Sequence, residues 1–533
     1  MVTRETILKK GSQEVKTRDS VIRNIASACK IVGDMFDRCL GPNGMNILVS
    51  DEKGDTFYAY DAFTALSAIR NSIAHPVARL IHEAVKSLDG AVGDLGKTFC
   101  ILLGDAVTYA ERLREEEGVK PANIISGYSS SIGFCQEALE MTAVTADDTM
   151  IPKIVETVLS GLPITSDERK FLTKLILEAV KHVVNNSSAH TLDIKSIRVK
   201  NKLGADITSS FFVRGLVVDK VWLGHIQMPQ IIHQPRIALL TSPIEIKKST
   251  LKYEYTVVGR DVLHLKQVAD GVSQLYVDAC EKLREVGASV VLCSKELHDL
   301  VLEGLARRGI MSAYRFSEED VEFIAKATGA KPVHDYKNIS PEDLGWAESA
   351  RQIKIGDERW MVIDGCRNSA ACTIVLRASS YKSLKMYEKA VLKSLRVISS
   401  FMEDPRVVPG GGASEMSMAV KLRRWSVTLD GHKGLAANAF ANCLEKIPFR
   451  LAVNSGKDGV ESVAALRSMH LNGSFGYGIR VDGMVGDMMA AAVVEPLKVK
   501  RVMLDILREC LIQLLRIDNV VIAKQIKGNV TTR

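Results

Sequence analysis

No CxxC pair occurs among the ten cysteines, which are scattered singly, and no histidines accompany them at zinc-binding spacing. This pattern argues against a structural zinc site and favours buried, free thiols in a reducing compartment. No apolar run reaches the length of a membrane span, and the N-terminus lacks the basic-then-apolar layout of a signal peptide. Blocks of like charge are also missing, because the residues that give the net charge of +7 are interleaved. We therefore expect a cytoplasmic protein with neither a nucleic-acid nor a membrane partner.

Apolar sequence is plentiful enough for more than one hydrophobic core. The chain has 533 residues, 46% hydrophobic and 25% charged, which is ordinary for a soluble globular protein of about two to four domains. Helices are predicted at residues 17–38, from about 61, from 76, at 121–145, 147–186 (two, broken at 161–163), 261–285, 295–308, 384–401 and 414–424. Strands are predicted at 194–199, 211–220, 236–240, 244–255 and 290–293, and a β-hairpin at 46–60. The pattern indicates an α/β domain inserted into a mainly helical chain.

The most informative stretch is residues 90–98 (GAVGDLGKT), a glycine-rich turn between two segments of helical periodicity. Free N–H groups and the positive dipole end at a helix start favour a phosphate, and Asp94 could hold the accompanying magnesium. Its ending resembles a Walker A loop, but Ala91 stands where that motif needs glycine and a helix precedes it, so we reject a P-loop. A plain helix connector with a capping aspartate is the alternative.

A second glycine-rich turn, residues 407–413 (VVPGGGA), also precedes a predicted helix. Three successive glycines let the backbone approach a ligand closely, although an ordinary flexible turn explains them equally well.

Seven motifs follow one another along the chain: residues 40–45 (LGPNGM), Asp61, His75-Pro76, Gly93-Asp94, 407–415 (VVPGGGASE), 485–500 and 515–521 (LRIDNVV). In that order they resemble the LGPKGM turn, the Asp of NDG, the helix-opening HP, the GDGTT loop, VVPGGGAxE, the segment ending DPLRVK and the LRIDDVI ending of the group II chaperonins. That family comprises the archaeal thermosome and the eukaryotic cytosolic chaperonin. The resemblance covers nearly the whole chain.

The resemblance implies a multidomain chaperonin fold, with a mainly α-helical equatorial domain, a small α/β intermediate domain and an α/β apical domain with a helical protrusion. The equatorial domain would be residues 1–145 and 403–533, carrying the nucleotide and most ring contacts. The hinge-like intermediate domain would be 146–214 and 366–402, and the substrate-binding apical domain 215–365, with a lid protrusion at about 255–285. In the helix at 295–308, the candidates for the substrate groove are Leu297, Leu300, Val301 and Leu305, unless they are core residues.

The resemblance also implies a subunit of a double-ring chaperonin that binds unfolded client proteins and assists their folding by ATP-driven ring closure. Its ring partners would be identical or paralogous subunits. ATP with Mg²⁺ is the implied cofactor, Asp61 the implied catalytic residue and Asp94 the implied metal ligand. The implied nucleotide contacts are Gly41, Pro42, Asp94, Gly96, Lys97, Thr98, Gly411, Gly412 and Glu495.

The sequence departs from the family pattern at the places where chemistry is expected. After Asp94, Leu95 stands for a glycine, and only Thr98 keeps a hydroxyl in that loop. Asn43 replaces a lysine and Ala62 a glycine, and Ala378 and Ser379 replace a glycine pair.

The most consequential change is Lys393, which aligns with the family's Asp that positions and activates the attacking water. A carboxylate can accept a proton from water, whereas an ammonium cannot. Lys393 could instead pair with Asp61 or Asp94, or contact a phosphate as a point charge. We therefore expect weakened ATP binding and weak or absent hydrolysis, which leaves open whether the chain is an ATPase. Two functions remain: a chaperone subunit in an ATP-driven ring, or a non-hydrolysing chaperonin-like scaffold or holdase.

Overall fold

The computed structural model describes residues 13–14, 18–50, 54, 56–70, 75–186, 191–218, 228–244, 262–368, 370–518 and 521–522. These residues form α-helices α1 (Arg18–Asp37), α2 (Ala62–Ala68), α3 (Pro76–Val92), α4 (Gly96–Glu115), α5 (Pro121–Thr142), α6 (Ile151–Leu159), α7 (Ser166–Asn186), α8 (Val262–Glu285), α9 (Asp299–Arg307), α10 (Glu318–Thr328), α11 (Tyr381–Glu403), α12 (Ala413–Ser426), α13 (Gly431–Asn454), α14 (Gly459–Leu471) and α15 (Leu497–Leu515).

The described strands are short, apart from one long hairpin. They are β1 (Gln13–Glu14), β2 (Ile47–Ser50), β3 (Thr56–Ala59), β4 (Val144–Thr145), β5 (Ile197–Leu203), β6 (Phe211–Val213), β7 (Gly215–Val218), β8 (Ile231–His233), β9 (Arg236–Leu240), β10 (Val290–Cys293), β11 (Met311–Tyr314), β12 (Pro332–Val333), β13 (Gly345–Ile355), β14 (Glu358–Cys366), β15 (Cys372–Ala378), β16 (Arg406–Pro409), β17 (Tyr477–Ile479), β18 (Val485–Asp487), β19 (Val494–Pro496) and β20 (Val521–Ile522).

The chain divides into two compact units, Met1–Thr173 with Lys389–Arg533, and Lys174–Glu388. The first unit is mainly helical, and α4 lies at its centre against α1, α13 and α15. Every residue of α4 from Thr98 to Val107 is buried, so this helix is covered on all sides. The three-domain division stays a prediction, while the α-rich multidomain fold agrees with the sequence analysis.

The second unit contains the predicted α/β segment. Its main sheet has the order β11-β10-β9-β13-β14-β7, in which β9, β10 and β11 are parallel and β13 is antiparallel to β9 and β14. Val290 and Leu292 pack into one core cluster and Val291 and Cys293 into another. The strand β10 is therefore buried on both faces, which explains its continuous apolar sequence.

The proposed groove helix begins later than predicted, at Asp299, because His298 caps it through its Nδ1 atom. Leu297 precedes the helix and forms a β-bridge with Ile244. Leu297, Val301 and Leu305 are core residues with at most 4% exposure, so they cannot line an exposed groove, and only Leu300 is exposed, at 45%. These three leucine and valine side chains are therefore core residues, because they pack into a hydrophobic cluster of the second unit.

Other predictions agree closely with the structure. The hairpin pairs Ile47 with Ala59 and Ser50 with Thr56, and α6 and α7 are separated at residues 160–165. All ten cysteines are buried, free thiols, as predicted. No helix in the described ranges is both long and apolar enough to cross a membrane. Most of the predicted strand 244–255, and residues 255–261 of the predicted protrusion, lie outside the described residues.

Candidate nucleotide-binding site

The turn between α3 and α4 brings Asp94 to the start of a helix. Gly93 ends α3 with φ +78°, and Leu95 precedes α4 with φ +65° and gives its first turn no side-chain cap. Asp94 Oδ1 accepts a hydrogen bond from the Leu95 N–H at 2.6 Å. The element before the turn is a helix, which confirms the rejection of a P-loop. The uncapped N–H groups of the first turn leave donors for an anion.

These residues line a cavity of about 350 Å³, which lies within the size range of small-molecule sites. It is formed by the first unit alone. Every residue predicted for the nucleotide site lines it: Gly41, Pro42, Asp61, Asp94, Gly96, Lys97, Thr98, Lys393, Gly411, Gly412 and Glu495. Motifs that are remote in sequence therefore meet at one place.

One face of α11 carries three cations at helical spacing, residues 389, 393 and 396. Each of them pairs with a different aspartate of the first unit. The pairs are Lys389 Nζ–Asp61 Oδ1 (3.0 Å), Lys393 Nζ–Asp94 Oδ1 (2.7 Å) and Arg396 Nη1–Asp89 Oδ2 (2.9 Å). The carboxylates are thus neutralised one by one by the same helix.

A glycine permits the close approach of α11 to the Asp94 turn. A Cβ atom on Gly93 would lie 3.0 Å from Arg396 Cβ and 3.1 Å from the carbonyl oxygen of Lys393. With its positive φ as well, position 93 favours glycine for two independent reasons. The backbone contact places Lys393 directly beside Asp94.

Lys393 is an ammonium in this setting. Burial opposes its charge, but the carboxylate of Asp94, with those of Asp61 and Asp89, raises its pKa above the usual lysine range. A permanently protonated amine has no lone pair with which to take a proton from water. Lys393 therefore cannot act as a general base.

A second lysine, Lys97, lies in the first turn of α4. Its Nζ donates a hydrogen bond to the carbonyl oxygen of Cys39 at 2.6 Å. Burial and the nearby charge of Lys393 lower the pKa of Lys97 to about 8. The wall around Asp94 is therefore rich in positive charge.

Asp61 has a local structural role as well as its place in the cavity wall. It caps α2, because Oδ1 accepts from the Thr64 N–H at 2.8 Å and Oδ2 from the Thr64 hydroxyl at 2.7 Å. Burial opposes its ionisation, but Lys389 and the Thr64 hydrogen bonds lower its pKa. Both of its oxygens are thus engaged, and Asp61 stays ionised.

The second glycine turn supports a buried charge cluster. Gly411 and Gly412 have φ of +59° and +78°, and a Cβ on Gly412 would lie 2.9 Å from Pro448 Cβ. Beyond the turn, Lys500 Nζ contacts Glu415 and lies 2.7 Å from Glu495 Oε2. Burial and the Glu415 charge raise the pKa of Glu495, although Lys500 opposes this. Glu495, predicted as a nucleotide contact, is thus already paired with a cation.

The side chains of this site do not form a ready-made Mg²⁺ site. Mg²⁺ needs oxygen ligands at about 2.0–2.1 Å in a near-octahedral shell. Lys393 occupies the Oδ1 oxygen of Asp94, and Lys389 and Thr64 occupy those of Asp61. Among the residues that the structure describes, no group of three or more Asp, Glu, His or Cys side chains could hold a metal ion.

Comparison with known proteins identifies the family. The profile of the TCP-1/cpn60 chaperonin family matches residues 32–525. This chain belongs to the TCP-1/cpn60 chaperonin family. It is 34% identical over 523 residues to thermosome subunit alpha of Archaeoglobus fulgidus, covering 97% of this chain and 94% of that one. It is also 34% identical to thermosome subunit alpha of Thermoplasma acidophilum and 32% identical to thermosome subunit beta of A. fulgidus, in each case over 97% of this chain and 94% of the relative. The resemblance to group II chaperonin subunits is confirmed.

Sequence reasoning missed several partners in this chaperonin's site. It assigned no role to Lys389, Arg396 or Asp89, although the basic residues at 389, 393 and 396 share a helix face by spacing alone. Glu415 and Lys500 lie inside motifs that had been recognised, but nothing in the sequence indicated that they contact each other. The residues predicted for the nucleotide site all line the cavity.

Proposed function

We propose that this chain is a chaperonin ring subunit that assists the folding of client proteins and binds nucleotide, but hydrolyses ATP weakly or not at all. The single observation that carries this proposal is the Lys393 ammonium, 2.7 Å from Asp94 Oδ1, at the position where the family motif has a water-activating carboxylate. Thermosome subunits of similar length and 32–34% identity support the assignment to a ring. The partners would be unfolded proteins and identical or paralogous chaperonin subunits.

The chemistry lost at position 393 is large on the scale of enzyme catalysis. A positioned general base contributes about 100- to 10,000-fold in rate. Asp61, Asp89 and Asp94 do not take over this role, since each of them is paired with a cation of α11. The cavity nonetheless keeps the helix start and the glycine turns expected of a nucleotide site.

The decisive experiment compares ATP turnover of the purified chain with that of Lys393→Asp, with assembly measured by electron microscopy. Lys382→Asp is the matched control, because Lys382 is an exposed lysine of the same helix. We expect Lys393→Asp to exceed the unmodified chain by about 100-fold or more, since it restores a general base. Ordinary family turnover in the unmodified chain that survives Lys393→Ala would overturn the proposal.

A non-hydrolysing scaffold or holdase is the second candidate, and a specific observation favours it. The three ion pairs of α11 hold that helix against the cavity wall through the protein's own side chains. Such a subunit would hold clients, but its rings would not close on ATP addition. Electron microscopy of rings with and without ATP distinguishes the two, because closure in ATP supports the ATP-driven subunit.

A further inference from the structure

The charged side chains around Asp94 indicate whether the site binds a nucleotide with or without Mg²⁺. This inference rests on the proposed nucleotide binding. Three aspartates are matched by the three cations of α11, and Lys97 adds a fourth cation. These seven side chains, which we call the Asp94 wall, together carry one net positive charge. An aspartate at position 393 would change this by two units, to one net negative charge, and two units is the charge of one Mg²⁺.

The ammonium of Lys393 also lies where a divalent cation would be expected. Its Nζ lies 2.7 Å from Asp94 Oδ1, where a cation bound to that carboxylate would lie. An ammonium has three N–H donors, and Asp94 is its one ion-pair partner within the described residues. Two donors therefore remain for oxygens of a ligand in the cavity.

The neighbouring groups are also donors. Lys97 supplies a second amine, and the first turn of α4 supplies uncapped backbone N–H groups. Phosphate oxygens that carry their full negative charge suit such a set, whereas phosphates already neutralised by Mg²⁺ lose much of the attraction. A chelated ion would also be repelled by the Lys393 ammonium.

We propose that this site binds the phosphates of a nucleoside di- or triphosphate without a divalent cation, with the Lys393 ammonium in the place of Mg²⁺. The site thereby selects the unchelated nucleotide. Because a triphosphate chelates Mg²⁺ more strongly than a diphosphate, ADP is favoured over ATP whenever Mg²⁺ is abundant.

Calorimetric titration of the full chain with ATP and with ADP, in EDTA and in excess Mg²⁺, tests this inference. We expect binding in EDTA, and at least about tenfold weaker ATP binding in Mg²⁺, on the scale of one lost charged hydrogen bond. Lys393→Asp should reverse the order and bind ATP only with Mg²⁺, while Lys382→Asp should behave as the unmodified chain. With Mn²⁺ as probe, electron paramagnetic resonance should show a protein-bound ion with ATP in Lys393→Asp and none in the unmodified chain.

Each outcome bears on a different claim. ATP binding that requires Mg²⁺, or stoichiometric Mn²⁺ in the unmodified chain, overturns this inference but leaves slow hydrolysis by the proposed subunit intact. No binding of either nucleotide under either condition overturns this inference and the nucleotide part of the proposed function together. If Lys393→Asp fails to fold, titrations of the unmodified chain and of Lys393→Met in EDTA and in Mg²⁺ still test this inference. Lys393→Met should lose the nucleotide binding that the unmodified chain shows in EDTA.

Discussion

Replacing Lys500 by methionine should strongly destabilise the first unit. Lys500 and Glu415 have side chains only 3% and 1% exposed, and Glu495 shares the same ammonium. Within the described part of the chain, Glu415 Oε2 has no hydrogen-bond partner, so Glu415 depends on Lys500 through its other oxygen. Lys500→Met fills a similar volume but leaves the buried carboxylate of Glu415 beside the partly exposed carboxylate of Glu495 without a shared cation.

The magnitude follows from the charges. The cluster changes from one net negative charge to two, and two like charges about 4 Å apart repel by about 4 kcal/mol at an effective dielectric constant of about 20. Removing one partner of a buried ion pair costs about 3–5 kcal/mol by comparison. Glu495, whose pKa is already raised, can take up a proton and limit this cost. A carboxyl with a raised folded-state pKa loses stability as the pH rises, so the loss should be larger at pH 8 than at pH 6.

Hydrogen exchange of peptides from α12 and α15, corrected for intrinsic rates at both pH values, measures the local stability without a two-state assumption. The matched control is Lys498→Met, which removes an exposed pair with Glu403 and should cost less than about 1 kcal/mol. Adding Glu415→Gln to Lys500→Met should recover at least half of the loss. A loss below about 1 kcal/mol at pH 8, or no recovery in the double variant, would refute the argument.

Two further predictions concern the Asp94 wall. Gly93→Ala should destabilise α3 and α11 by about 1–3 kcal/mol in the same exchange assay, since the added Cβ combines a positive φ with contacts of 3.0 and 3.1 Å. Gly90→Ala, whose added Cβ has no atom within 4 Å, should be neutral or stabilising. Equal effects of the two variants would contradict the close approach of α11 to the Asp94 turn. The pKa of Lys97 is lowered to about 8, whereas the pKa of Lys393 is raised and the raised pKa of Cys39 keeps its thiol neutral. The affinity for ADP, measured by calorimetry, should therefore fall as the pH rises from about 7 to 9 and Lys97 loses its charge. Lys97→Met should abolish this pH dependence, and an unchanged slope in that variant would exclude Lys97 as a phosphate ligand.

Local signals in the sequence predicted much of the fold. The helix from about residue 61, the hairpin at residues 46–60 and the strand Val290–Cys293 all depend on short-range patterns, and the structure confirms them. Periodicity does not define α13, because it contains Pro448 and is buried on several sides, so no single apolar stripe marks it. The start of α9 was predicted too early because Leu297 continues the apolar pattern from outside the helix.

The residues of the site could be predicted where they belong to motifs, but their pairings could not. Sequence left open whether Lys393 pairs with Asp61 or Asp94, and the structure pairs it with Asp94 because Lys389 already holds Asp61. Contacts such as that of Glu415 with Lys500, 85 residues apart, depend on long-range packing that no local pattern encodes.

Leu95 shows how a residue with a side chain can hold a left-handed turn. It adopts φ +65°, a conformation that costs a residue with a side chain about 1–2 kcal/mol, where the family motif has glycine. The buried leucine side chain, 9% exposed, supplies packing that a glycine could not, which offsets part of that cost. At this turn, side-chain packing therefore takes the place of the conformational freedom that a glycine would bring. A substitution of Leu95 changes the packing and the backbone strain of the phosphate-facing loop together.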